Sequence, residues 1–308
     1  MNASRFRLSA KQRNLRMRAE VIRAIRAYFT ALDFLEVETP IRIPFPAPEA
    51  HIDPLGSENW YLHTSPELCM KRMLSAGYPR IFQICKCFRR GERGDRHLSE
   101  FTLLEWYEAG TGYADMMRFC EDLIADTARQ VSGEEHLHFQ GENVSLTPPW
   151  ERLGVSDAFE RYGSLSVTDA LGADRYEEIM GLEIEPRLGH EKPVFLYDYP
   201  AECGALARLR PGNPHIAERF ELYICGMELC NAFTELTDPA EQRARFEADM
   251  AFRAKSGKSV WSLPEKFLED LQYMPQASGN ALGLDRLVML FANVQKIDDA
   301  VAFTPEDL

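Results

Sequence analysis

The sequence predicts an α+β protein, an antiparallel β-sheet flanked by helices. Three observations carry that expectation. Helical and strand-like patterns come in runs and do not alternate as βαβ units. One strand–charged loop–strand unit, over residues 81–107, is short enough to be a hairpin, and hairpins are antiparallel. No dinucleotide or Walker phosphate loop of the doubly wound folds is present. The 308 residues carry no repeat, low-complexity tract or interdomain linker, so 1–308 is expected to form a single domain.

Composition narrows the class further. With 45% hydrophobic and 27% charged residues the chain is of ordinary globular type, neither disordered nor collagenous. A net charge of −13 argues against a general nucleic-acid binder. No apolar run approaches the ~18 residues of a membrane span. Seven cysteines, with Cys85 and Cys87 one residue apart and Cys225 and Cys230 without a partner at zinc spacing, read as free thiols in a reducing cytoplasm.

Element by element, Leu15, Ala19, Ile22, Ile25, Phe29 and Leu32 recur at three- and four-residue steps, an amphipathic helix ending near Asp33. Arg5, Arg7, Lys11, Arg13, Arg16 and Arg18 precede the first acid, Glu20, and read as a solvated basic face. Residues 34–40 read as a short strand stopped by Pro40, and Pro44, Pro46 and Pro48 as an extended loop. Ser65-Pro66-Glu67 opens a helix with Ser at its cap and an acid at its positive end; Met70, Met73 and Leu74 are its apolar face. Residues 81–88 and 101–107 are strands around the loop 89–97. Residues 112–131 are a helix, and 132–192 give only short helical pieces. Strands follow at 195–199, 220–225 and 229–236, the last two around a turn at Gly226. A polar helix covers 239–254. Residues 279–292 read as a buried helix entered through a glycine-rich turn.

Three places carry chemistry. Arg89, Arg90, Arg93 and Arg96 on the hairpin loop match phosphate oxygens with their guanidinium forks, or form a solvated tip. In the strand after them, Phe101, Leu103, Glu105 and Tyr107 share one face, and a carboxylate among aromatics suits a pocket floor better than a plain core. Glu221, Glu228 and Glu235, in an apolar stretch with Asn231, call for cations: magnesium, an amine ligand or core arginines. Arg286, inside an apolar helix pattern beside Gly283, calls for an anion.

In this order the segments resemble the catalytic domain of class II aminoacyl-tRNA synthetases. Phe34-Leu35-Glu36-Val37-Glu38-Thr39-Pro40 looks like the first, dimer-forming motif. The run from Phe88-Arg89 through His97-Leu98-Ser99-Glu100-Phe101-Thr102 looks like the second, and Gly283-Leu284-Asp285-Arg286-Leu287 like the third. The lysine branch is the nearest match, on Ser65-Pro66-Glu67-Leu68-Cys69-Met70-Lys71-Arg72, Glu228-Leu229-Cys230-Asn231-Ala232-Phe233-Thr234-Glu235-Leu236 and Tyr197-Asp198-Tyr199-Pro200. The lysyl-tRNA synthetases carry an N-terminal anticodon-binding OB-fold, for which this chain leaves no room. The elongation factor P–(R)-β-lysine ligases have that shape, and Glu105-Trp106-Tyr107 is similar to their sequence.

The resemblance implies an ATP- and Mg2+-dependent ligase of the cytoplasm. It would activate (R)-β-lysine as the adenylate and pass it to a lysine of elongation factor P, as a homodimer, without tRNA or membrane. It implies residue roles as well. Arg89 would hold the α-phosphate of ATP, Arg286 and His97 would reach the γ-phosphate side, and Arg90, Gly91 and Leu98 would belong to the same nucleotide site. Phe101 and Arg286 would sandwich the adenine, and Glu228, Leu229 and Gly283 would complete the nucleotide site. Glu221 and Glu228 would hold magnesium. Glu67 and Glu235 would pair with the distal ammonium, with Ser65, Pro66, Tyr107 and Asn231 about the substrate. Ala281, where the tRNA synthetases have glycine, would favour the β-isomer. The chain departs from the family pattern at Arg90-Gly91, in place of Asn-Glu, and at Leu98-Ser99, in place of Asn-Pro. Three other readings stay open: an enzyme activating α-lysine for another carrier, an asparagine synthetase of the class II type, and a silent paralogue that binds lysine or nucleotide.

Overall fold

The computed structural model describes residues 8–308; Arg5 and Arg7 of the basic stretch lie outside them. Helix α1 (Gln12–Ala31) buries Val21, Ala24, Ile25 and Phe29, the last stacked on Phe82 at 4.5 Å. It stops where Asp33 takes a left-handed φ of 61°. The basic face is only partly solvated: Arg18 Nη1 donates to Asp285 Oδ1 at 2.5 Å, and Lys11 lies 3.6 Å from Asp307.

Strand β1 (Leu35–Glu36) is shorter than the predicted 34–40, because only these two residues pair before the proline-rich loop. A small sheet follows, β2 (Arg42–Ile43), β3 (Leu55–Ser57) and β4 (Trp60–Leu62), with β4 in the middle. Helix α2 (Glu67–Ser75) starts with the Glu67 amide donating to Ser65 Oγ at 3.0 Å. Strands β5 (Arg80–Phe88) and β6 (Glu100–Ala109) form the expected antiparallel hairpin, and α3 is Tyr113–Ser132.

The stretch that reads poorly in sequence holds more strand than predicted. It contains a hairpin of β7 (His136–Phe139) and β8 (Glu142–Ser145), then β9 (Glu151–Gly154), and the short helices α4 (Val155–Tyr162), α5 (Val167–Gly172) and α6 (Tyr176–Ile179). Then come β10 (Val194–Pro200), β11 (Leu209–Arg210), β12 (Asn213–Ile224) and β13 (Met227–Thr234). Next are α7 (Pro239–Lys255), α8 (Glu265–Leu271), β14 (Ala277–Gly283) and α9 (Leu284–Ala292).

The main sheet has nine strands in the order β1-β5-β6-β14-β13-β12-β10-β9, with β11 on β12. The six strands from β5 to β10 pair antiparallel, as expected; the outer pairs β1–β5 and β9–β10 are parallel. One face packs on α1, α3 and α9 through Phe82, Leu104, Trp106, Phe220, Ala232 and Leu282. The other carries Ile81, Tyr107, Phe233 and Tyr223, packed with α2, α7 and α8 at one end.

Residues 279–283 are sheet and not helix, which corrects the sequence expectation. Ala277-Ser278-Gly279-Asn280-Ala281-Leu282-Gly283 has none of the branched side chains that mark strands, yet it lies between β6 and β13. Its residues are small because the face above is crowded. A Cβ on Gly279 would come within 2.2 Å of Glu235 Oε1 and 2.3 Å of the Tyr107 ring.

Candidate active site

Register aligns the chemistry in rows across the sheet. Gln83, Glu105, Ala281, Asn231 and Glu221 face one another across five strands; Tyr107, Gly279, Phe233 and Arg219 form the next row. Above them is a cavity of about 280 Å3, lined among others by Ser65, Glu67, Arg89, Arg96, His97, Leu98, Phe101, Glu105, Glu228, Leu229, Asn231, Ala281, Gly283 and Arg286. That is near the lower end of small-molecule sites.

One end of the cavity is cationic. Arg89 leaves β5 and lies over the Phe101 ring at 5.0 Å; its Nε is buried without a hydrogen-bond partner. Arg286, in the first turn of α9, donates through Nη1 to the Glu228 backbone oxygen at 2.8 Å and through Nη2 to His97 Nε2 at 2.6 Å. Burial and the Arg286 charge hold His97 below its usual range, so it accepts that bond as a neutral ring. Asp285 sets the turn, accepting from Arg18 and from the Thr102 amide at 2.7 Å.

The other end is anionic. Lys71, fully buried one helical turn after Glu67, places its Nζ 2.5 Å from both Glu67 Oε1 and Glu235 Oε2. Burial opposes that charge, but the two carboxylates outweigh it and raise the Lys71 pKa. Glu235 Oε1 has no hydrogen-bond partner. Glu105 accepts from Ser65 Oγ at 2.6 Å and from the Tyr107 hydroxyl at 3.0 Å. Burial, then the nearby Glu67 charge, pushes Glu105 far above the usual carboxylate range; burial also pushes Glu235 up. Three carboxylates thus meet one cation.

The remaining candidates fall outside the cavity lining. Arg90 and Gly91 are exposed at the hairpin tip, and Arg93 turns away to Asp298 and Glu306 at 2.9 Å each. Of the four loop arginines only Arg89 and Arg96 face the cavity. Pro66, Tyr107 and Glu235 stand behind the wall. So does Glu221, which receives hydrogen bonds from Tyr199 (2.7 Å), Tyr223 (2.6 Å) and Arg219 (2.5 Å). Glu228 lines the cavity with its carboxylate 3.2 Å from Arg286 Nη1. Glu185 joins this acidic group; burial, then Glu221 and Glu228, pushes it up to about 7. Sequence reading flagged Glu105 only as pocket floor and missed Lys71, whose i,i+4 spacing from Glu67 looks like a surface pair.

The family model for tRNA synthetases class II (D, K and N) matches residues 2–307. The chain is 38% identical to the elongation factor P–(R)-beta-lysine ligase of Haemophilus influenzae (strain PittGG), over 97% of both chains. It is 36% identical to the ligase of that name from Hamiltonella defensa, over 99% of this chain and 98% of the other. It is 37% identical to the lysine–tRNA ligase of Moorella thermoacetica over 93% of its own length, but spans only 64% of that protein. An arginine-lined end beside an acid-lined end, with the second motif on the β5–β6 hairpin and the third running from the end of β14 into α9, agrees with these matches: the chain belongs to the class II tRNA synthetases (D, K and N), related nearly end to end to the elongation factor P–(R)-beta-lysine ligases.

Proposed function

We propose that this ligase activates (R)-β-lysine with ATP and transfers it to a lysine side chain of elongation factor P. The observation that carries the reading is the charge count at the anionic end. Glu67, Glu105 and Glu235 against Lys71 leave two negative charges once all three carboxylates ionise, which burial opposes at Glu105 and Glu235 and the two ammonium groups of (R)-β-lysine would favour. The near end-to-end match with the elongation factor P ligases supplies the β-isomer and the acceptor.

The substrate carboxylate attacks the α-phosphorus of ATP, pyrophosphate leaves, and the mixed anhydride forms. Arg89 offsets charge on the α-phosphate oxygens and on the entering carboxylate, and Arg286 with neutral His97 offsets charge on the leaving group. The acceptor amine then attacks the anhydride carbonyl and AMP departs. The adenine lies between Phe101 and Arg286, which requires Arg89 to leave the Phe101 ring that it covers. Glu228 and Glu221 would hold magnesium in its usual manner, through one or two carboxylates plus phosphate oxygens; the open Glu228 carboxylate fits, while Glu221 would give up one of its present partners. The ion would neutralise phosphate charge. The protein works in the cytoplasm, as a homodimer through the exposed Leu32, Leu35, Ile41 and Trp60 near the first motif, and as one catalytic domain without use of tRNA.

The test is ATP–pyrophosphate exchange without tRNA, on (R)-β-lysine, (S)-β-lysine, α-lysine and aspartate, followed by intact-mass measurement of elongation factor P. Exchange strongest with (R)-β-lysine and a β-lysyl mass gain on elongation factor P are the expected results. Exchange strongest with α-lysine would install the second reading, which the 37% identity to a lysine–tRNA ligase favours. No exchange with any of them would leave a silent binding protein.

A further inference from the structure

His63, Cys85 and Cys87 bring one donor atom each within 4.8 Å of one another, in a place where the proposed reaction uses none of them. The two cysteines alternate along β5 and so share one face of the strand. Their sulfurs are 3.8 Å apart. Cys87 Sγ lies 3.9 Å from His63 Nε2. His63 is locked from both sides by its backbone, its amide donating to Ile41 at 2.8 Å and its carbonyl accepting from Phe88 at 3.0 Å.

These spacings have a metric to meet. Zinc binds thiolate at ≈ 2.3 Å and imidazole at ≈ 2.0–2.1 Å, so a tetrahedral site has a sulfur–sulfur edge of about 3.8 Å and a sulfur–nitrogen edge of about 3.6 Å. The first edge is already met, the Cys87–His63 edge needs a shift of a few tenths of an ångström, and the Cys85–His63 edge, within 4.8 Å, closes by at most about 1.2 Å. A disulfide fits worse. Two residues along an extended strand separate the Cα atoms by about 6.6 Å, at the far end of the disulfide range, and the sulfurs stand at nearly twice the ≈ 2.05 Å bond.

The geometry points to a zinc-class site: a thiophilic divalent cation held by Cys85 Sγ, Cys87 Sγ and His63, with a fourth position open to water. His63 and Cys87 are buried, while Cys85 is partly exposed and gives the ion its path from solvent. On binding, the two thiols lose their protons to solvent, two Zn–S bonds form, and a ring nitrogen completes the set. Nε2 now donates to the Lys86 carbonyl at 2.6 Å, so its proton moves to Nδ1 and that bond is exchanged for the metal.

The location gives the ion a task. His63 is two residues before Ser65, which donates to Glu105 and caps α2; Cys87 pairs with Phe101 across the hairpin and is two residues before Arg89. A cation here fastens the Ser65 segment to the strand that delivers Arg89, clamping the two ends of the cavity wall together without entering the cavity.

The experiment is cobalt titration of metal-free full-length protein, kept reduced with a phosphine and free of oxygen. One equivalent should develop thiolate-to-cobalt absorption in the near ultraviolet and the strong visible bands of a four-coordinate ion, and zinc should displace it one for one. Cys85→Ser and Cys87→Ser should each weaken zinc by more than about 100-fold, beyond the 10–100-fold of losing an outer-shell partner. Cys203→Ser, outside the cluster, should leave it unchanged. If the serine variants fold poorly, wild-type protein decides: zinc should protect the partly exposed Cys85 from alkylation, mapped by peptide mass, and leave Cys69 and Cys203 reactive. Absence of the thiolate band, failure of that protection, or equal binding by folded Cys85→Ser and Cys87→Ser variants would overturn the site.

Discussion

At the scale of single residues, the anionic end gathers three carboxylates about Lys71, and burial opposes the ionisation of two of them. Glu105 and Glu235 are pushed up by burial, so protons occupy part of the site that substrate ammonium groups would take. Proton and substrate then compete. A carboxylate with a raised pKa is protonated at the acid end of its range, and a cationic ligand favours its ionised form. The KM for (R)-β-lysine should therefore fall as pH rises from about 6 to about 8, and binding calorimetry in buffers of different ionisation enthalpy should register proton release. Glu105→Gln should flatten the profile while lowering exchange. A KM that rises over this interval would remove the competition argument. Ala281 tests isomer choice at the same floor. Its neighbours in register are Glu105 and Asn231, so it sits between an acid and an amide of the cavity floor. Ala281→Gly should shift the α- to β-lysine ratio of kcat/KM toward α-lysine by about 10–200-fold, the range for one methyl in a pocket. An unchanged ratio would exonerate this residue.

At the scale of elements, β14 shows how a pocket can hide a strand. The β5–β6 hairpin was legible because apolar residues bracket a charged loop, and the parity of Phe101, Leu103, Glu105 and Tyr107 is the true facing. Pattern reading also found β13, expected at 229–236 and observed at Met227–Thr234. It failed for 277–283 because the side chains that would signal a strand are excluded by Glu235 and Tyr107 above it. The β7–β8 hairpin was missed because its strands are only four residues each. The His63–Cys85–Cys87 cluster was unreadable because a backbone hydrogen bond from Phe88, not spacing, brings His63 to the end of β5. Gly279→Ala tests the crowding directly. The methyl must push aside Glu235 or the Tyr107 ring, so urea unfolding should show a loss of about 1–3 kcal/mol, the range for overpacking. The displaced Glu235 should also raise the KM for the amino acid while leaving that for ATP nearly unchanged. Loss of stability with both KM values intact would mean that Glu235 is not held by this contact.

At the scale of the whole molecule, the cavity is a meeting place of distant segments, and buried arginines tie them. Arg18 joins α1 to Asp285 across 267 residues of sequence and reaches Thr102 Oγ1 at 2.8 Å. Arg253, in α7, is fully buried and supports the opposite wall. It donates to the carbonyls of Glu49 (2.9 Å), Ile52 (2.8 Å) and Ser259 (2.9 Å) and to Asp53 Oδ1 (2.7 Å), with Trp261 at 4.6 Å over its guanidinium. Pro48, Glu49 and Ile52 of that segment line the cavity, and Glu49 is pushed up to about 7 by burial there despite the Arg89 charge. Residues 48–53 have no regular secondary structure, so the fork of Arg253 replaces the hydrogen bonds a strand would supply. Lysine cannot replace it: a single ammonium has no planar fork to serve three carbonyls and a carboxylate at once. Arg253→Lys should lower unfolding free energy in urea by about 1–3 kcal/mol, as for buried carbonyls left without a donor. At a temperature where the variant stays folded by circular dichroism, exchange should still fall, because the wall over Arg89 is no longer fixed. Full exchange activity in a destabilised Arg253→Lys protein would separate the wall from the chemistry and leave Arg253 a purely structural tie.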